Sequence, residues 1–519
     1  MTTRGAVAAG HPLTAEAGAT ILREGGNAVD AAIAAALTSF VAESPLTGLG
    51  AGGFMLVHTP EENVLLDFFV AVPGRDGIER GSEVVPVPVY FSEDVPQIFN
   101  VGAASCGVPG TAAGLAEAQR SFGSMPLSEL VQPALRHARE GVSVNAEQAF
   151  VFQILEPILA REVEGAAVYA PQGKRLVEGD VFRFPDLADA LELYGAEGKE
   201  PFYRGEIARR VSEWVVERGG TLGTGDFASY EPIHRYPARG RFRGRDVLTN
   251  PPPSSGGILI AFGLDLLDRL EAVGVEEVLA VMEEAQAART QEFHASLYED
   301  GFLERFLDRA SLDAAAERVA ERLPPPGRGR AGPRDRLGST THITVVDGDG
   351  RCASVTCSNG TGSGLIVPGT GVHVNNMCGE EDLNPFGFHT LPAGVRMPSM
   401  MSPTVILQRG ELEAGLGSGG SNRIRSAILL TIIRMVVEGM DVQAAVEAPR
   451  LHFEAGAVHA EPGIDREALA ALEARGYEVG RWGKRNLFFG GVHAVSRDVE
   501  TGALSGGADP RRGGAVAVV

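Results

Sequence analysis

The chain has 519 residues, too long for one ordinary domain, and its 44% hydrophobic content is ample for a large core. Its formal charge of −21 excludes the basic face that nucleic acids and anionic membranes need in order to release counterions. The four cysteines, Cys106, Cys352, Cys357 and Cys378, form neither a disulfide framework nor a CxxC pair for zinc or thiol redox work.

The amino-terminal stretch MTTRGAVAAGHPLTAEAG lacks the unbroken apolar core of an export signal, so the sequence as written reads as cytoplasmic. No later run reaches the roughly 18 apolar residues of a membrane helix. The first long element is the Ala-rich run 27–42, apolar on nearly every face and expected as a helix buried on all sides. Thr47-Gly-Leu-Gly-Ala-Gly-Gly53 follows, then a strand-like stretch, 54–58. The glycines lack the Lys-Ser/Thr of a phosphate loop and precede a strand, so close backbone packing explains them better.

Amphipathic patterns predict helices at 110–122, 126–140, 184–193 and 205–218. Pro251-Pro-Pro-Ser-Ser-Gly-Gly257 is a stiff turn opening a helix near 258–270, and a second helical block runs from 275 to 298. From about 322 to 339 the composition turns to Pro, Gly and Arg, which reads as an exposed linker and the main boundary of the chain. Beyond it the period changes to two. Segments 341–346 and 352–358 flank Asp347-Gly-Asp-Gly350, a hairpin signal. A second hairpin spans 405–407 and 412–415, helices follow at 423–439 and 442–448, and the tail from Val492 reads as short strands. Hairpins bracketed by helices predict an α+β fold with sheets layered between helices.

Gly338-Ser339-Thr340-Thr341-His342 opens the first of these strands directly after the linker. A threonine hydroxyl is a poor nucleophile without an adjacent base. Its own α-amino group, with a pKa near 8, can serve as that base, but only once the preceding peptide bond is broken. Taken alone, two threonines at a strand edge are commonplace.

The wider sequence resembles the γ-glutamyltransferases over essentially its whole length. The resemblance rests on Ala8–Asp30, Val108-Pro-Gly, 138–144, Phe202-Tyr-Arg-Gly-Glu206, the Pro251–Gly257 turn, Thr340-Thr-His342 and Gly369–Asn376, and further on Ser402-Pro-Thr404 and Gly417-Ser-Gly-Gly420 with Arg423-Ile424. It implies a four-layer αββα sandwich of the N-terminal nucleophile hydrolase type, and a precursor cut between Ser339 and Thr340 into a large subunit, 1–339, and a small catalytic subunit, 340–519. It also implies that Thr340 attacks the substrate carbonyl, that the N–H groups of Gly420 and Ser421 form the oxyanion pair, and that Ser358 supplies a hydroxyl to the nucleophile. His342 reads as structural. No cofactor and no metal are implied.

Several positions depart from the family pattern. Phe69 stands where an arginine binds the γ-glutamyl carboxylate. Glu380 replaces an aspartate that binds the donor ammonium, Met377 replaces a glutamine, and of two serines only Ser399 remains, the other being Met400. The asparagine-bearing turn after the second strand is shortened, leaving Asn359 or Gly360 in its place. Losing an arginine from a carboxylate site forfeits a charge-assisted bond of roughly 1.5–3 kcal/mol. The expectation is therefore an amide hydrolase or acyltransferase with an altered, less polar acyl donor, its pocket covered by segment 378–398 through Phe386, Phe388 and His389. One alternative is a genuine γ-glutamyltransferase and glutathione hydrolase in which Arg75, Arg396 or Arg423 restores the missing charge. The other is an inactive, uncleaved scaffold. The expected partners are a small-molecule amide and the two subunits of one precursor.

Overall fold

Residues 4–92, 95–323 and 340–519 are described in the computed structural model of the protein. The hairpin around Asp347–Gly350 forms as its turn residues require: Thr341–Asp347 pairs antiparallel with Cys352–Ser358. Both strands are wholly buried because they lie in the middle of a seven-stranded sheet. Its order is Ala515–Val518, Gly5–Ala9, Thr341–Asp347, Cys352–Ser358, Gly52–His58, Asn63–Phe68 and Ile233–Arg235. The second hairpin, Thr404–Gln408 with Glu411–Gly419, belongs to a six-stranded sheet. That sheet runs Leu504–Ala508, Gly491–Arg497, Glu411–Gly419, Thr404–Gln408, Arg245–Thr249 and Ala238–Phe242. Neighbouring strands are antiparallel throughout both sheets.

The two-residue period of a strand assigns each side chain to a layer. Val7, Ala9, Met55 and Val57 join the cluster formed with the helices on one side. Ala6, Ala8, Phe54 and Leu56 point the other way, into the cluster that contains Ala414 and Leu416 of the second sheet. The helix Ala28–Ala42 packs on the outer face of the first sheet with all its residues buried. Asn27 caps it, accepting from the Val29 and Asp30 N–H groups while Asp30 accepts from the Asn27 N–H. Gly256–Asp268 and Arg423–Val436 cover the outer face of the second sheet. The layers are helix, sheet, sheet, helix: an α+β αββα sandwich.

Two expected helices are broken. The 126–140 stretch divides into Leu127–Leu130 and Gln132–Glu140, because Pro133 has no N–H and sits in the first turn of a new helix. The 275–298 stretch divides into Val275–Ala287 and Gln291–Ser296, because the Thr290 side chain accepts from the Phe293 N–H and caps a fresh start. The helix Arg309–Arg322 runs through the expected beginning of the linker, and residues 324–339, including Ser339, lie outside the described residues. All four cysteines are free and buried. Among the described residues no helix is long and apolar enough to cross a membrane.

Candidate active site

Thr340 sits just before the central strand Thr341–Asp347, buried to 4% exposure. Its Oγ1 donates to Ser358 Oγ at 3.2 Å, and Ser358, at the end of the paired strand, also accepts from the Gly360 N–H at 2.9 Å. The Thr340 carbonyl accepts from Arg512 Nη1 at 3.0 Å. The neighbouring sheet approaches the same carbonyl so closely that a Cβ on Gly419 would stand 2.2 Å from its oxygen, which only glycine avoids.

Gly420 and Ser421 form the turn between the strand Glu411–Gly419 and the helix Arg423–Val436, with φ of 124° and 50°. Among the described residues neither backbone N–H has an acceptor, and both lie at the positive end of that helix. The Ser421 hydroxyl donates to Asp382 Oδ2 at 2.9 Å. Asp382 belongs to segment 378–398, whose Phe386 is 41% exposed.

On the donor side Phe69, Met377 and Met400 are all buried, at 1–4% exposure, in one apolar cluster, and Phe69 stacks on Phe54 at 5.3 Å between ring centroids. The stiff Pro251–Gly257 turn clamps the segment carrying Ser399 and Met400. Ser254 Oγ donates to the Ser399 carbonyl at 2.7 Å, the Ser255 and Gly256 N–H groups donate to it at 2.9 and 3.1 Å, and a Cβ on Gly256 would meet the Met400 carbonyl oxygen at 2.2 Å. Ser399 Oγ accepts from the Met401 N–H at 3.1 Å, so it is engaged within its own loop. Glu380 accepts from Asn376 Nδ2 at 3.0 Å and faces Gly360. The Asn359 carboxamide, next to Ser358, is buried with neither polar atom partnered among the described residues.

Two of the arginines that could restore a donor charge are committed. Arg396 donates to the carbonyls of Phe69 (2.9 Å) and Glu231 (2.7 Å), pairs with Asp67 at 3.3 Å and lies over the Tyr230 ring. Arg423 is fully buried, donates to the Phe488 carbonyl at 3.1 Å and covers that ring. Arg75 is exposed, its guanidinium against Gly394. His342 bridges Thr356 Oγ1 (2.8 Å) and Thr344 Oγ1 (2.9 Å) between the sheets, and burial holds its pKa well below the usual range, so it is a neutral packing residue.

Thr340, Ser358 and Gly360 are joined by hydrogen bonds, Asn359 and Glu380 adjoin them, and Gly419, which leads into Gly420 and Ser421, packs against the Thr340 carbonyl, while Phe69, Met377 and Met400 belong to one buried apolar cluster. Asp382, which the sequence offers together with Glu380 and Glu381 as an anion for an amine, accepts instead from the Ser421 hydroxyl, and two neighbours escaped the sequence reading: Arg512 and Glu43. Glu43 accepts from Thr14 Oγ1 at 2.8 Å and from Thr341 Oγ1, and burial pushes its pKa up. Neither Arg512 nor Glu43 carries a local motif; each reaches the site only through the fold. Among the described residues no cluster of three or more His, Cys, Asp or Glu could hold a metal ion.

Paired antiparallel sheets between helices, with a threonine leading the central strand, define the architecture of the N-terminal nucleophile hydrolases. The chain belongs to the gamma-glutamyltranspeptidase family, whose model matches residues 14–519. It is 32% identical to an acylase ACY 1 proenzyme from Pseudomonas sp. (strain SE83), over 97% of this chain and 92% of that protein. It is 30% identical to a glutathione hydrolase proenzyme from Bacillus subtilis (strain 168), over 98% and 91% respectively. Among solved structures, cephalosporin acylase from Bacillus halodurans superposes with a TM-score of 0.83 at 27% identity, covering 99% of this chain and 96% of that one.

Proposed function

We propose that the chain is a precursor that cuts itself before Thr340 and then hydrolyses an amide whose acyl half lacks the free amino-acid end of a γ-glutamyl group. In the first step Thr340 Oγ attacks the carbonyl of Ser339. The C–N bond breaks and the hydroxyl proton passes to the Thr340 nitrogen, which frees the α-amine and leaves an ester; water then hydrolyses that ester, restoring the Thr340 hydroxyl and leaving Ser339 with a carboxylate. In the second, that amine takes the Oγ proton as Oγ attacks the substrate carbonyl. The Gly420 and Ser421 N–H groups face the developing oxyanion, each such donor being worth about 3 kcal/mol of barrier. Collapse breaks the C–N bond, the proton moves on to the departing amine, and water releases the acyl group as its acid.

The observation that carries the altered donor is the burial of Phe69 against Phe54 in one cluster with Met377 and Met400, while Arg396 and Arg423 are spent on backbone carbonyls. A γ-glutamyl carboxylate placed there would be desolvated without a partner, at a cost of several kcal/mol. The likeness to an acylase proenzyme supports the same reading. The competing reading, a glutathione hydrolase, draws on Glu380 near Gly360 as an anion for a donor ammonium and on the B. subtilis relative.

Purified protein offered γ-glutamyl-p-nitroanilide and glutaryl- or simple acyl-p-nitroanilides separates the two. Turnover confined to the acyl series is expected; efficient γ-glutamyl turnover refutes the altered donor. A single uncut band on a denaturing gel refutes both and leaves an inactive scaffold.

A further inference from the structure

A second space reaches Thr340 without touching Phe69, Met377, Ser399 or Met400. It encloses about 420 Å³, within the range of small-molecule sites, and is lined by Thr340, Phe150, Ile154, Lys484, Arg485 and Arg512. The other buried polar groups of its wall are already accounted for. Arg511 pairs with Glu461 and Asp509, and Asp509 also holds Arg450, which lies behind the wall. Burial holds His11 and His493 to a pKa of about 4, so both are neutral at pH 7. Both carboxylate oxygens of Glu43 are taken by hydroxyls, and Glu147 is exposed to solvent.

Arg512 is different. Nη1 donates to the Thr340 carbonyl, but Nε and Nη2 are buried with no acceptor among the described residues. These two groups share the side-on edge of a guanidinium, which a carboxylate grips with two parallel hydrogen bonds. Leaving them dry and unpaired is costly, and an anion in the cavity removes that cost. Lys484 and Arg485 add positive charge on the exposed part of the same wall.

We propose that this cavity receives the amine half of the substrate, and that this amine carries a carboxylate set against Arg512. The assignment rests on the amide-hydrolase reading of Thr340. Because Thr340 borders the cavity, an acyl half seated toward Phe69 and Met400 leaves the amine half on the cavity side of the scissile bond.

The test uses two anilides with the same acyl group, one releasing p-nitroaniline and the other 5-amino-2-nitrobenzoate. The carboxylated substrate is expected to show a KM at least tenfold lower, about 1.4 kcal/mol, and Arg512→Gln to bring the ratio of the two kcat/KM values close to one. Since Arg512 also touches Thr340, that variant can lose folding or self-cleavage. Product inhibition of the unaltered protein is therefore read as well, 5-amino-2-nitrobenzoate binding at least tenfold more tightly than p-nitroaniline. Equal KM and equal inhibition, with both anilides turned over, overturn the cavity assignment and leave the hydrolase standing. A preference that follows a carboxylate on the acyl chain overturns the assignment of halves. Failure to cleave either anilide overturns the hydrolase and the cavity assignment with it.

Discussion

The hydrogen bond from Ser421 to Asp382 ties a residue of the proposed oxyanion pair to segment 378–398, and its removal has a calculable effect. A bond to a charged acceptor contributes about 1.5–3 kcal/mol, and the lower figure applies because both residues are partly exposed. Ser421 also holds φ at 50°, which costs a residue with a Cβ about 1 kcal/mol relative to glycine. Ser421→Ala keeps the strain and loses the bond, so it should destabilise by about 1.5 kcal/mol. Ser421→Gly loses the bond and sheds the strain, for a net loss of about 0.5 kcal/mol. In catalysis the order reverses, because glycine frees the very N–H that must stay aimed. Its kcat for an acyl anilide should fall about tenfold, a part of the ~3 kcal/mol an oxyanion donor supplies, with KM nearly unchanged. Denaturant melts and initial rates on the same preparations give both numbers. Adding Asp382→Ala to either variant should change little further, as a double-mutant cycle would report. If Ser421→Gly retains the original kcat, or if the effects of the two sites simply add, the bond does not hold the N–H in place.

Thr340→Ala should remain a single 54.6 kDa chain on a denaturing gel and show no amide turnover, because one hydroxyl performs both steps. Phe69→Arg exchanges a stacked, buried ring for an unpaired guanidinium and should lower the melting temperature. Where it folds, kcat/KM for γ-glutamyl-p-nitroanilide should rise at least tenfold; a folded variant with no gain shows that position 69 does not choose the donor. Stability should depend on pH through the buried histidines. Burial depresses His373 and His493 to about 4, so between pH 6.5 and 4 the unfolded chain binds more protons than the folded one. Stability is therefore full above pH 6.5 and lost as pH falls toward 4, by up to about 3 kcal/mol per histidine. Melting curves across that interval check the sign, and His493→Gln should flatten the slope.

What could be read before folding was whatever repeats locally. The alternation around Asp347–Gly350 marked the central hairpin, and the Ala-rich 27–42 run, apolar on nearly every face, marked a helix with no wet side. Thr340 stood out because a strand begins where a Pro/Gly stretch ends. The broken helices were hidden because a Thr290 cap and an in-phase Pro133 leave the apolar period intact across the break. Glu43 meets Thr341 from 298 positions away, and Arg512 meets Thr340 from 172, so no window of sequence contains either contact. The meaning of Phe69 was only half legible. The missing arginine was evident, but that Arg396 is tied to the Phe69 carbonyl, and so cannot stand in, required the fold.

Strand order has a consequence for the fate of the two halves. Gly5–Ala9 lies between Ala515–Val518 and Thr341–Asp347, bonded along both edges, and Cys352–Ser358 is in turn zipped to Gly52–His58. If the bond before Thr340 is cut as proposed, the pieces stay interleaved like the fingers of clasped hands. Neither could leave without tearing three rows of backbone bonds from a shared sheet. A nick there would leave an interlocked pair rather than two exchangeable subunits, and a half synthesised alone would lack the neighbours its own strands require.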